Sequence, residues 1–189
     1  MMNLFTSKKE RLLWLTTFFV VVGIFSTIGL AGQFADFFIR QELFGLLFIL
    51  GFILTGSIIV TFGLRNKSRP IEWLLYLVVF LILIMIFARS GVSLVERTHL
   101  FEYGIVSVLL FNALLERNSS ILKASIFAFL MTTLLGSIDE VIQYYLPVRV
   151  FDWLDIVRNI SAGLIGIFVN SLFLLMRKKL SSSRIDSSS

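Results

Sequence analysis

The stretch ILKASIFAFLMTTLLGSIDEVIQYYLPVR, Ile121 to Arg149, decides how this chain folds. From Ile121 to Ile138 it carries one charge, Lys123. At about 1.5 Å per residue, such a run crosses most of a hydrocarbon layer about 30 Å thick. It then stops on two adjacent acids, Asp139 and Glu140. Five further apolar runs lie around it, at about Leu12 to Gly32, Leu43 to Leu64, Ile71 to Ala88, Thr98 to Leu115 and Trp153 to Met176. Together they predict an all-α, polytopic integral membrane bundle of about six transmembrane helices.

Composition agrees: 57% of the 189 residues are hydrophobic and 15% charged, with 20 Phe and only 2 Pro. A water-facing surface is not built from such a mixture. There is no Cys, which excludes disulfides, thiolate nucleophiles and Cys-based metal sites, and one His leaves little scope for a metal cage. The net charge of +5 reads as membrane topology and contact with membrane lipids, not as nucleic-acid binding.

Six crossings put both termini on one side, together with the loops Arg65 to Pro70 and Glu116 to Lys123. Of the 17 Lys and Arg, 12 fall there: Lys8, Lys9, Arg11, Arg65, Lys67, Arg69, Arg117, Lys123, Arg177, Lys178, Lys179 and Arg184. The other side receives Arg40, Arg89, Arg97, Arg149 and Arg158. Positive charge on short loops marks the cytoplasm, so both termini are expected there. The first run is too long for a signal-peptide core and is read as a retained helix. Residues 1–180 read as a single membrane domain, and the Ser-rich end, 181–189, as a disordered tail. Gly23, Ser26, Gly45, Gly51, Gly56 and Ser57 suggest close helix contacts. Trp14, Trp73, Trp153, Tyr76, Tyr103, Tyr144 and Tyr145 suggest interfacial anchors, and Asn112 and Asn170 interhelical hydrogen bonds.

Eight of the 12 acids gather on the proposed outer side: Asp36, Glu42, Glu96, Glu102, Asp139, Glu140, Asp152 and Asp155. They form three groups with the basic residues there. His99 and Glu102, three apart, are neighbours on a helix. The carboxylate can orient the imidazole as a proton donor, or both can ligate a divalent cation; an ion-paired helix cap is the structural alternative. In the second group, Gln143 lies within one helical turn of both Asp139 and Glu140, and Arg149 follows. Adjacent acids repel, which favours keeping a proton between them and makes a general acid conceivable; neutralisation by nearby Arg is the alternative. Acids beside lipid are costly and call for a reason. In the third group Asp152 fits a helix N-cap, Asp155 and Asn159 share a face, and Arg158 suits an ion pair or a phosphate contact. There is no P-loop, dinucleotide fingerprint, Gly-x-Ser-x-Gly elbow, His-Glu-x-x-His pair, voltage-sensor ladder or selectivity filter.

Read in order, the groups give His99-x-x-Glu102-Tyr103, Asp139-Glu140-x-x-Gln143-x-x-x-Pro147-x-Arg149 and Asp155-x-x-x-Asn159-x-x-x-Gly163. That pattern resembles the VanZ-like family of bacterial membrane proteins, over Glu96 to Phe173. Many relatives carry an Asp-Lys pair four and three residues before the His, where this chain has Val95 and Glu96. The resemblance implies a multi-pass protein of the bacterial inner membrane, in a family whose founding member is associated with resistance to the glycopeptide teicoplanin. It implies neither a reaction nor a cofactor.

The expectation is a polar centre at the outer membrane boundary. His99, Glu102, Asp139, Glu140, Gln143, Asp155 and Asn159 would supply its chemistry, Arg149 and Arg158 its hold on phosphate, and a lipid-linked cell-wall precursor would be its ligand. The alternative is a noncatalytic accessory or scaffold protein whose polar cluster is structural. A transporter, which needs polar groups along a path across the bilayer, ranks below both.

Overall fold

In a computed structural model of the chain, the described residues are 5–40, 70–71, 73–74, 77–78, 80–81, 94–117, 120–146 and 151–186. They form helices and no strand. Four helices are defined: α1 (Lys8–Arg40), α2 (Leu94–Glu116), α3 (Ile121–Tyr144) and α4 (Trp153–Asp186). Three stretches are long and apolar enough to cross a membrane, Lys8–Ile28, Ile121–Tyr144 and Trp153–Lys178. The fourth predicted span coincides with α2, the described residues at 70–81 within the third are helical, and the second lies outside the described residues.

The chain divides into two compact units, Met1–Leu30 with Thr98–Ser189, and Ala31–Arg97. The first holds the predicted sites that can be followed. The second contains the end of α1, the start of α2 and the helical residues at 70–81.

Sequence explains most helix ends. Ser7 and Glu10 make a capping box at the start of α1: the Glu10 N–H donates to Ser7 Oγ at 3.0 Å, and the Glu10 carboxylate accepts from Thr6 N at 2.6 Å and Thr6 Oγ1 at 2.7 Å. Ser120 caps α3, its hydroxyl accepting from Lys123 N at 3.3 Å. α4 runs on to Asp186, past the start of the Ser-rich segment predicted to be a disordered tail. Extending an existing helix fixes one residue per new hydrogen bond, so its Lys- and Ser-containing end continues where an isolated peptide would not fold.

Packing in the first unit is inside-out relative to a soluble protein. Phe18, Phe127, Leu134 and Phe168 are more than half exposed, whereas Ser107, Thr132, Asp139, Glu140, Gln143 and Asn159 are buried. Apolar surface of this extent is shed from water into lipid. An apolar cluster of Ile24, Val106, Leu110, Phe111, Ala124, Ala128 and Ile167 joins α1 through α4. On α3 the buried face repeats every four residues through Ala124, Ala128, Thr132, Gly136 and Glu140, the stripe of small residues that lets helices approach closely in lipid.

Among the described residues the close approaches fall at Gly136, Gly163 and Gly166. A Cβ on Gly136 would lie 2.9 Å from Asn159 Cβ, and one on Gly163 would lie 3.1 Å from Thr132 Cγ2. On Gly166 it would meet the Gly104 carbonyl oxygen at 2.9 Å and press on Ser107 Oγ. Gly23 has nothing within 4 Å among the described residues, and Ser26 bonds back to Val22 O in its own helix, 2.6 Å away. Gly45, Gly51, Gly56 and Ser57 lie outside the described residues. Asn112 likewise donates within its helix, to Val108 O at 2.7 Å, and Asn170 Nδ2 has no hydrogen-bond partner among the described residues; an interhelical contact is made instead by Ser125 and Ser171, whose hydroxyls are 3.3 Å apart.

At the end of the unit opposite Asp139 and Glu140, α1 is tied to α2. Lys9 Nζ donates to Glu116 Oε2 at 2.7 Å, Ser7 Oγ donates to Glu116 Oε1 at 3.2 Å, and Arg117 Nη1 lies 3.7 Å from Glu10 Oε1. The bond from Lys9 is the main cause that holds Glu116 below the ordinary 4.5 of a glutamate. Lys9 is 71% exposed, so water screens the pair and its contribution is modest.

Two outcomes are expected. Gly166→Ala should lower the melting temperature in detergent, by overpacking worth about 1–3 kcal/mol; Gly23→Ala, facing open space, should leave it unchanged or raise it. Lys9→Ala should cost stability near neutral pH. Because the folded pKa of Glu116 is lowered, that contribution is complete above 4.5 and disappears as pH falls from there through the folded value. Melting curves of both proteins across that range should converge at the acid end.

Candidate functional site

Three helix segments of the first unit meet in the acidic site: α2 at Glu102 and Tyr103, the last turns of α3 and the first of α4. α3 supplies Asp139, Glu140 and Gln143, which are 0%, 0% and 1% exposed. The spacing of three brings Gln143 Nε2 to Glu140 Oε1 at 3.3 Å, so of the two acids open to that amide it is Glu140 that accepts its bond. The other carboxylate oxygen of Glu140 accepts from the backbone N–H of Asp152 at 3.4 Å. One side chain therefore joins the end of α3 to the start of α4 across the turn.

Asp152 serves as the predicted N-cap: its Oδ1 accepts from Leu154 N at 2.8 Å, and its carbonyl accepts from Asp155 N at 3.0 Å. Arg158 donates from Nη1 to Asp155 Oδ1, and the same nitrogen is 3.7 Å from Asp152 Oδ2. Of the two roles open to Arg158 in the sequence, the structure places it in the ion pair. Asp155 is 7% exposed, and Asn159, one turn further along α4, is 1% exposed against Gly136. Neither the Nδ2 nor the Oδ1 of Asn159 has a hydrogen-bond partner among the described residues.

Tyr103 corrects the expectation of an interfacial anchor. It is 1% exposed, and its hydroxyl donates to the Leu135 carbonyl oxygen at 3.4 Å. A phenol next to lipid needs a polar partner, and the backbone of α3 supplies one in the interior instead of at the boundary. The sequence carries a signal for this: Tyr103 directly follows Glu102 and stands four residues after His99, about one helical turn along. Tyr144, Tyr145 and Trp153 do lie exposed at the helix ends, as anchors would.

Glu102 is half-buried on α2, next to Tyr103 in sequence. His99 lies on α2 three residues before Glu102, but its side chain is outside the described ones. Arg149 lies outside the described residues altogether. The structure thus gathers Glu102, Asp139, Glu140, Gln143, Asp155, Arg158 and Asn159 at three converging helix ends, with Tyr103 and Gly136 as members that the sequence reading assigned elsewhere or missed. Among the described residues no three His, Asp or Glu side chains are placed to share a metal ion.

Such an arrangement can do two things. Carboxylates held out of water with hydroxyl and amide partners can exchange a proton or accept hydrogen bonds from a polar head group. The same bonds fix the geometry of the α3–α4 turn. Compared with protein-family models, with curated proteins and with solved structures, the chain gives no match.

The cap is the most local of these contacts. Asp152→Ala should lower stability by about 1 kcal/mol, within the range of about 0.5–2 for lost caps, whereas Asp152→Asn should retain most of it. Thermal unfolding of the purified variants measures both.

Proposed function

We propose that this chain is a VanZ-like multi-pass protein of a bacterial inner membrane, with about six spans and both termini in the cytoplasm. In this reading, its carboxylate centre at the extracytoplasmic face binds or acts on a lipid-linked cell-envelope component. The observation that carries the reading is the complete burial of Asp139 and Glu140 at the end of an apolar helix. Ionisable groups at such a depth are costly and mark functional positions. Glu140 or Asp139 would give or take the proton, His99 with Glu102 would partner it, and Arg149 would hold a phosphate. A head group in water and a tail in lipid suit a site at that boundary. Resistance to a glycopeptide would follow where the component is the drug's target.

A second reading, a noncatalytic accessory protein, is favoured by one specific observation. Glu140 bonds the Asp152 N–H, and Arg158 bonds Asp155, so these polar groups hold a turn together.

Native mass spectrometry of the protein purified gently from bacterial membranes separates the two readings. Wild type is expected to retain a lipid-linked glycan that Glu140→Gln loses at equal abundance and unchanged melting temperature. Retention by neither protein, with only stability altered by Glu140→Leu, would leave the accessory role.

A further inference from the structure

At the end of the first unit away from the acids, Leu115 at the close of α2, Ile121 at the opening of α3, and Leu174, Arg177 and Lys178 on α4 line a pocket of about 380 Å³. That volume lies within the range of small-molecule sites. Three of its walls are aliphatic, and the two consecutive cations are its charged residues. The apolar stretch of α4 ends at Lys178, so the pocket sits at the depth where hydrocarbon gives way to head groups.

The charges at this end are arranged unequally. Glu116, the residue after Leu115, is engaged by Lys9 and Ser7, and Glu10 by Thr6. The guanidinium of Arg177 lies over the Phe173 ring, 4.4 Å from its centre. A guanidinium has five N–H donors in a planar fork, a geometry that suits bidentate contact with a phosphate. Lys178 adds an exposed ammonium next to it.

We infer that this pocket is a binding site for an anionic phospholipid, with an acyl chain against Leu115, Ile121 and Leu174 and the phosphate held by Arg177 and Lys178. A basic pocket between helix ends at a membrane boundary is the physical setting for such recognition. Aliphatic walls supply affinity for the chain, and the cation pair selects the charge of the head group. The site is separate from the acidic centre and does not depend on what that centre does.

The test uses the full chain in detergent, titrated with dioleoylphosphatidylglycerol, with dioleoylphosphatidylcholine, or with soluble glycerol 3-phosphate, and read by native mass spectrometry. Wild type should retain one phosphatidylglycerol about tenfold more tightly than phosphatidylcholine. Arg177→Gln with Lys178→Gln should erase that preference. Lys8→Gln with Arg11→Gln, at the same end but not lining the pocket, should preserve it. Leu174→Trp, which fills the pocket, should weaken retention of both lipids. If the double glutamine variant does not fold, Arg177→Lys with Lys178→Arg should keep the preference while Leu174→Trp loses retention. Equal retention of the two lipids by wild type, a preference that survives loss of both cations or falls equally with Lys8 and Arg11, or binding of glycerol 3-phosphate as tight as that of the lipid would each overturn the assignment.

Discussion

A carboxylate removed from water has to find its hydrogen-bond donors inside the protein, and Glu140 finds them on both sides of a turn. Gln143 donates from its own helix and Asp152 from the start of the next. The second bond is the consequential one, because it sets where α4 begins relative to α3. Asp152, held by its N–H, then uses its side chain to cap α4, and one turn later Asp155 engages Arg158. The acidic end is a chain of dependencies in which each polar group orients the next. Removing the first member would leave a buried donor unsatisfied, which costs more than the net worth of the bond itself.

Lipid as solvent explains why the rest of the helices obey a different rule. Leucine and phenylalanine gain nothing by leaving a hydrocarbon for a protein interior, so they remain on the outside, and small residues form the contacts. Gly136 against Asn159 and Gly163 against Thr132 bring α3 and α4 together, and Gly166 brings α4 up to Gly104 and Ser107 of α2. These approaches carry polar side chains into the seam. Thr132 and Asn159 are buried there because the backbone beside them has no side chain to exclude them.

How far the sequence could be read follows from the same physics. Spacing of three and four placed Gln143 beside Glu140 and Asp152 at the start of α4, because a helix fixes such neighbours whatever surrounds it. Ser7-x-x-Glu10 carries the capping box of α1 in the same way. Long-range pairing has no such local signature. Small residues occur in most of the predicted spans, so nothing in the chain distinguishes Gly136, which touches Asn159, from Gly23, which touches nothing described. Tyr103 differs from expectation for a related reason: an aromatic near a span end fits a boundary anchor until a partner helix is known to bring the Leu135 carbonyl to its hydroxyl. Helix ends ran past the apolar runs, since hydropathy measures where lipid stops and not where hydrogen bonding stops.

The two ends of the first unit use charge in opposite ways. At one, buried carboxylates are joined to groups 3 to 12 residues away, Asp155 to Arg158 and Glu140 to Asp152. At the other, Lys9 reaches across the fold to Glu116 and stays in contact with water. Burial keeps water from competing for the first set, so its partners are supplied by the protein. Exposure makes the second set sensitive to what lies in the solvent boundary, where salt and lipid head groups compete for the same cations.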